Sequence, residues 1–331
     1  MLVLVLVLIL AGDHGYKLDD ARMLADLVVD LVAGGADGSV ACTKDVPLQD
    51  ACNFGGVTVD DDAWIRAFDE KPAQPTAMPG HPERALASMG IYVFNAAFHC
   101  EQLARDAAEP ASSHDFGRDL IPRLLGSHRV HAHHFVDSCV NRVGDYLYWR
   151  DVGTPDAYWD ANMDLTHVVP ELNLYDDWPI RSLQAQLLPA KFVFDDDDGR
   201  RSVVVDSLVS SGCIVSGSTV RRSILFTKVR VAERSLVEDS VVLGDVVIGC
   251  GVTLKRVIVD EGCVIPGGFK AGVHSEEDRA NFHVTERGVT LITPGMLGQQ
   301  VRRVGCDGSR AFSPPRSAIE RRFVSLGGSV A

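Results

Sequence analysis

Leu236-Val237-Glu238-Asp239-Ser240-Val241-Val242-Leu243-Gly244-Asp245-Val246-Val247-Ile248-Gly249-Cys250-Gly251-Val252-Thr253-Leu254 carries the pattern that decides the fold of the C-terminal half. Apolar residues return in steps of six: Leu236, Val242, Ile248, Leu254, preceded by Leu208, Ile214, Val220 and followed by Ile258, Val264. Glycine, serine and aspartate fill the gaps. A stride of six is neither the 3.6 of a helix nor the alternation of a hairpin, and it predicts short strands stacked as the coils of a parallel β-helix. An ordinary β-sandwich would instead need turn signals every 8–12 residues or so.

Upstream, strand-like and helix-like stretches alternate. Leu2–Leu10 is an unbroken apolar run and reads as a fully buried parallel strand. Asp20–Val32, with Met23, Leu24, Leu27 and Leu31 at helical spacing, predicts a helix, and Gly38–Thr43 and Val57–Val59 predict strands. That alternation implies an open α/β sheet, on which ligands sit beyond the carboxyl ends of the strands. Asp13 lies at such an end.

Between the two patterns, residues 179–200 read as a connector, with Pro179, Pro189 and the acidic run Asp195–Asp198. The run lacks the alternation, central glycine and distal glutamate of a calcium loop and reads as a solvated turn. The expected organisation is a first domain over 1–178, the connector, the β-helix over 201–300 and a disordered tail over 301–331, where Gly and Pro recur without period.

Composition narrows the function classes. The 331 residues carry 45 acidic against 32 basic side chains, a net charge of −13, which leaves no basic face for a nucleic-acid backbone. The apolar run up to Ala11 is too short to span a bilayer and lacks a basic flank. Eight scattered cysteines with no C-x-x-C pair argue against zinc cages and disulfides and for a reducing, cytoplasmic setting. His128, His131, His133 and His134 have no cysteine or carboxylate partner set and read as solvent-exposed strand histidines.

Four short segments bear chemistry. In Leu10-Ala11-Gly12-Asp13-His14 the carboxylate of Asp13 is placed either as a metal ligand or as a helix cap. In Glu70-Lys71-Pro72, Pro72 biases Lys71 toward an extended backbone, where its ammonium either meets a phosphate or makes a surface ion pair. His114-Asp115-Phe116-Gly117 and Tyr148-Trp149-Arg150-Asp151-Val152-Gly153-Thr154 each set an aspartate among aromatic residues and glycine, which suits sugar hydroxyls, a metal or plain turn chemistry.

These segments in this order, with Asn53-Phe54-Gly55 and Ser88-Met89-Gly90-Ile91-Tyr92-Val93 between them, closely resemble the ADP-glucose pyrophosphorylase (glucose-1-phosphate adenylyltransferase) family, from about Leu6 to Leu297. The resemblance implies an incomplete, Rossmann-like nucleotidyltransferase sheet followed by a left-handed parallel β-helix. It implies that Asp13 and Asp151 hold Mg²⁺, that Lys71 contacts the phosphate of glucose 1-phosphate, and that Gly55, Glu70, Ser88 and Asp115 surround the sugar. ATP is the implied second substrate, and a homo-oligomer, a tetramer in relatives, the implied assembly. The family's glycine-rich triphosphate loop has no counterpart ahead of Asp13, so the sequence is expected to be an N-terminally truncated form. A non-catalytic sugar-phosphate-binding subunit that assembles with intact partners is the alternative. A hexapeptide-repeat acyltransferase is set aside, because Val203 to Gly272 contains no histidine to act as base.

Overall fold

The computed structural model describes residues 5–17, 25–26, 29, 35–139, 148–175, 185–196 and 200–300. The expected helix over Asp20–Val32 falls largely, and the tail over 301–331 wholly, outside them. The chain divides into two units, Met1–Asp151 and Val152–Ala331.

The spine of the first unit is β6 (Arg84–Asn95), whose apolar residues run almost without interruption because both of its faces are covered. On one edge it pairs antiparallel with β3 (Gly38–Pro47), which pairs parallel with β7 (Val130–His134). On the other edge it carries β4 (Gly55–Val59), which pairs with β5 (Ile65–Glu70), and farther along β1 (Leu6–Ile9). One face packs Val40, Tyr92 and Phe94 against Leu120, Ile121 and Leu124; the other packs Ala41, Met89, Ile91 and Val93 against Phe135. Asn95 closes β6 and opens α1 (Ala96–Ala107), its side chain accepting from the Ala97 and Phe98 amides.

The strands β1 and β7 depart from expectation. β1 runs antiparallel to β6, and Leu8 and Leu10 are 37% and 49% exposed, so it is neither parallel nor fully buried. A short apolar run fixes no strand direction, which is set by the neighbour that accepts its hydrogen bonds. The histidines of β7 are not solvent-exposed: His133 is buried and bonded to the Ser138 hydroxyl, and His131 and His134 are half-buried. The following turn, Phe135–Asp137, places Phe135 in the core beside β3.

The second unit begins earlier than residue 178. A helix, Pro155–Asp164, capped by the Thr154 hydroxyl, packs Met163 against Ile224, Val241, Ile258 and Val289 of the coil stack. Lys191–Val193, inside the stretch read as connector, already pairs with Ile214–Ser216 as a coil strand. Within that stretch Asp195 and Asp196 pair with Arg201 and Arg200, as a solvated turn should.

From there three parallel sheets form the three sides of a left-handed β-helix. Pairing partners such as Thr219, Leu236 and Thr253 stand seventeen residues apart, one short of three even strides of six. The inward line is Val237, Val242, Ile248, Leu254, Val259, Ile265, all fully inaccessible. Leu208, Ile214, Leu236, Ile258 and Val264 of the six-step pattern therefore sit one residue off that line, and Val209, Val215, Val237, Val259 and Ile265 replace them. The five-residue stride spans the corner at Asp206, Arg222, Asp239 and Arg256, each held at a φ of 42–53° to turn the chain in less length.

Serines bridge successive coils. Ser218 and Ser235 each donate a hydroxyl to a carbonyl of the next coil, Ala232 and Gly249, and accept an amide from it, Ser235 and Val252. Ser223 and Ser240 accept amides in the same manner at a second corner.

Candidate active site

The first group of functional side chains is assembled by a two-stranded antiparallel ribbon, β2 (His14–Tyr16) against β8 (Trp149–Asp151), with His14 opposite Asp151. Asp13 immediately precedes β2. One ligand atom from each of Asp13, His14 and Asp151 lies within 4.8 Å of the others. Among the described residues no other set of three His, Cys, Asp or Glu side chains converges in this way. Asp13 is 59% exposed and His14 only 11%. The His14 Nδ1 is 2.7 Å from the Met89 carbonyl oxygen; a carbonyl only accepts, so Nδ1 carries the proton. Its Nε2 is turned toward the carboxylates, 3.9 Å from Asp13 Oδ1. The ring stands edge-on to Trp149 at 5.5 Å, and Trp149 leans on Phe54 at 5.0 Å. Two converging carboxylates, Asp13 exposed and Asp151 half-buried, suit a hard divalent cation such as Mg²⁺, which keeps water and phosphate ligands beside one or two protein oxygens.

The second group lies at the end of β5. Gly55 is the register partner of Glu70, and Gly117 approaches from the turn after Asp115. A Cβ on Gly117 would stand 2.2 Å from Glu70 Oε2, so only glycine leaves the carboxylate its place. Burial, and after it the charge of Asp115, push the Glu70 carboxyl above the ordinary glutamate value, against the opposing pull of Lys71 and Arg118. Asp115 makes the turn contact that its sequence context allowed, its Oδ1 accepting from the Arg118 amide at 2.8 Å as a cap, and its charge also bears on Glu70.

Lys71 departs from expectation. Its φ is +49°, in the left-handed region, where Pro72 was expected to favour an extended backbone. The Lys71 amide donates to the Phe54 carbonyl at 3.1 Å, the next bond of the β4–β5 ladder, and β5 ends at this left-handed residue. The side chain is exposed.

Ser88-Met89-Gly90 on β6 touches the surroundings of both groups. The Ser88 hydroxyl, buried, accepts from the Gly90 amide at 3.2 Å and bonds Tyr92, whose hydroxyl burial pushes up to about 12. Met89 supplies the carbonyl that fixes His14. Gly90, at φ +67°, would bring a Cβ to 3.0 Å from Ala11 and 3.4 Å from the His14 ring.

Comparison with known proteins gives this geometry its lineage. Residues 3–168 match the nucleotidyl transferase family model and residues 188–292 the GlmU-like C-terminal hexapeptide model. The glucose-1-phosphate adenylyltransferase of Nitrosospira multiformis is 56% identical over 90% of this chain and 69% of its own length. Those of Methylobacillus flagellatus and Nitrosomonas europaea are 57% and 55% identical, over 90% of this chain and 69% and 68% of their own lengths. The chain belongs to the glucose-1-phosphate adenylyltransferase family. It is a family of nucleotidyltransferase enzymes, and the reading as a non-catalytic subunit is not favoured.

For this adenylyltransferase-family chain, the structure brings together Asp13 with Asp151, and Gly55 with Glu70 and Asp115. Sequence reasoning assigned no role to His14, Gly117 or Trp149, although each stood inside a quoted motif. The histidine following Asp13 and the aromatic residue two before Asp151 were the available signals, because register partners across a ribbon share one face.

Proposed function

We propose that this chain catalyses the transfer of the adenylyl group of ATP to α-D-glucose 1-phosphate, giving ADP-glucose and pyrophosphate for glycogen or starch synthesis. The observation that carries the reading is the convergence of Asp13, just before β2, with Asp151 on the adjoining β8, beside a β6 segment that also borders the Gly55–Glu70–Asp115 group. In the reaction an oxygen of the sugar phosphate forms a bond to the α-phosphorus of ATP as the α–β bridging bond breaks and the electron pair leaves with pyrophosphate. Asp13 and Asp151 would hold Mg²⁺, which when bound neutralises phosphate charge and orients the reacting oxygens. Glu70 and Asp115 accept hydrogen bonds from sugar hydroxyls, with Ser88 and Gly55 completing the wall. Lys71 meets the sugar phosphate as a point charge. No protein nucleophile is needed.

The setting that goes with this reading is the cytoplasm and a homo-oligomer, a tetramer. No described helix is long and apolar enough to cross a membrane.

The test is pyrophosphate release from ATP and glucose 1-phosphate with Mg²⁺, with UTP and dTTP in parallel. Release from ATP above the other two, lost in Asp13→Asn and Asp151→Asn, is the expected result. Preference for another nucleotide would overturn the base assignment. Binding of glucose 1-phosphate with no release from any nucleotide would move the chain to a sugar-phosphate-binding subunit.

A further inference from the structure

Asp106, in the last turn of α1, is a carboxylate that the proposed chemistry does not use, yet it is 6% exposed and heavily bonded. Its Oδ1 accepts from the Ser112 hydroxyl at 2.7 Å and meets Arg123 Nη2 at 3.1 Å; its Oδ2 is 2.9 Å from His114 Nδ1. The Ser112 hydroxyl in turn accepts from the His114 amide at 3.0 Å. The bonds from His114 and Ser112 hold the Asp106 carboxyl below the usual aspartate range, so at neutral pH it is an anion. His114 sits at φ +61°, a conformation that costs a non-glycine residue about 1 kcal/mol and must be held by something. Asp115 and Gly117, which face Glu70, follow directly.

We propose that Asp106 and His114 act as a positioning clamp for sugar recognition: the buried carboxylate locks His114 in its left-handed turn and thereby sets Asp115 and Gly117 against Glu70. The proposal rests on the reading of Glu70 and Asp115 as sugar-contacting residues. Neither clamp residue is a catalytic residue, and Asp106 is too buried to touch substrate. A plain stabilising role would leave the sugar site unaffected once the fold is intact; a positioning role would not, because displacing a contact group by about 1 Å costs up to roughly 100-fold in function.

The substitution set exploits the backbone. Glycine adopts φ +61° without strain, which offsets the entropy cost of its freer unfolded chain, so His114→Gly keeps the backbone turn but releases the link to Asp106. Asparagine tolerates the same conformation and offers a side-chain N–H to the carboxylate, so His114→Asn restores the link. The measurement is the Kd for glucose 1-phosphate by calorimetry on the full chain, with no nucleotide, beside thermal unfolding of each variant. Expected are a rise of about 10- to 100-fold in His114→Gly with an unchanged melting temperature, and recovery to within about threefold in His114→Asn. Asp106→Asn should raise the Kd comparably, and the double variant Asp106→Asn/His114→Gly no further than the more affected single one, as coupled residues do. Wild-type affinity in both His114→Gly and Asp106→Asn would overturn the clamp alone. Failure of the unaltered chain to bind glucose 1-phosphate would overturn the sugar-site reading beneath it.

Discussion

His14 stands opposite Asp151 across the β2–β8 ribbon, and its proton is committed to the Met89 carbonyl 2.7 Å away. The imidazole is therefore held in one tautomer and one orientation by a strand of the central sheet, with Nε2 on the side of the two carboxylates. Such support is what keeps ligand groups convergent before an ion arrives. His14→Phe keeps an aromatic edge against Trp149 but loses both nitrogens. We expect its affinity for Mn²⁺, used as a paramagnetic stand-in for Mg²⁺ and titrated without nucleotide, to fall about 10- to 100-fold. Electron paramagnetic resonance of free Mn²⁺ reads this directly, and unchanged affinity would show that Asp13 and Asp151 need no help from the ring.

Glu70 gives a pH signature. Its carboxyl titrates above the ordinary glutamate value, chiefly from burial and then from the Asp115 charge. Between the unfolded and the folded pKa the native state binds more protons, so Glu70 makes the fold less stable as pH rises through that window. Above the window Glu70→Gln should raise the melting temperature. Glucose 1-phosphate binding runs the other way, since sugar hydroxyls donate best to the ionised carboxylate, and affinity should fall as pH drops into the window. The ligand phosphate titrates in the same direction, so the decisive quantity is the part of the pH dependence that Glu70→Gln removes. A pH profile identical in the two proteins would take Glu70 out of the sugar contact.

The order of the motifs was legible in sequence because each is local: an aspartate at a strand end, a Glu-Lys-Pro turn, an aspartate before Phe-Gly. Their meeting was not. That Gly117 must leave room for Glu70, 47 positions earlier, follows only from the approach of two segments. The Lys71 backbone departs from the local pre-proline bias at the point where the β4–β5 ladder ends, and no local rule locates that point. The β-helix announced itself through repetition, yet the strict stride of six drifted off the inward face wherever a corner spends one residue fewer. Val242, Ile248 and Leu254 were read correctly, whereas Leu236 stood in for Val237.

That drift is measurable. Val237 is fully enclosed by the coils, whereas Leu236 is half-exposed on the adjoining face. Truncating Val237 to alanine removes two buried methyl groups and leaves a cavity, about 2–3 kcal/mol. Leu236→Ala, although it deletes a larger side chain, should cost no more than about 1 kcal/mol. Denaturant unfolding of the two variants gives the order, and a larger loss at Leu236 would reinstate the even six-residue register.

Ser235 tests what joins one coil to the next. Its side chain is almost wholly buried, donates to the Gly249 carbonyl at 2.8 Å and accepts from the Val252 amide at 3.1 Å. Valine would fill the space but satisfy neither backbone group; alanine would leave both exposed to a small void. A buried backbone donor left without a partner costs about 1–3 kcal/mol, more than the hydrogen bond itself contributes. Ser235→Ala should therefore destabilise the second unit by about that amount, with amide exchange accelerating first at Val252. Threonine retains the hydroxyl and should preserve protection at Val252 whatever its added methyl costs in packing. Equal protection at Val252 in the alanine and threonine variants would mean that the hydroxyl is incidental and that strand pairing alone holds the coils in register.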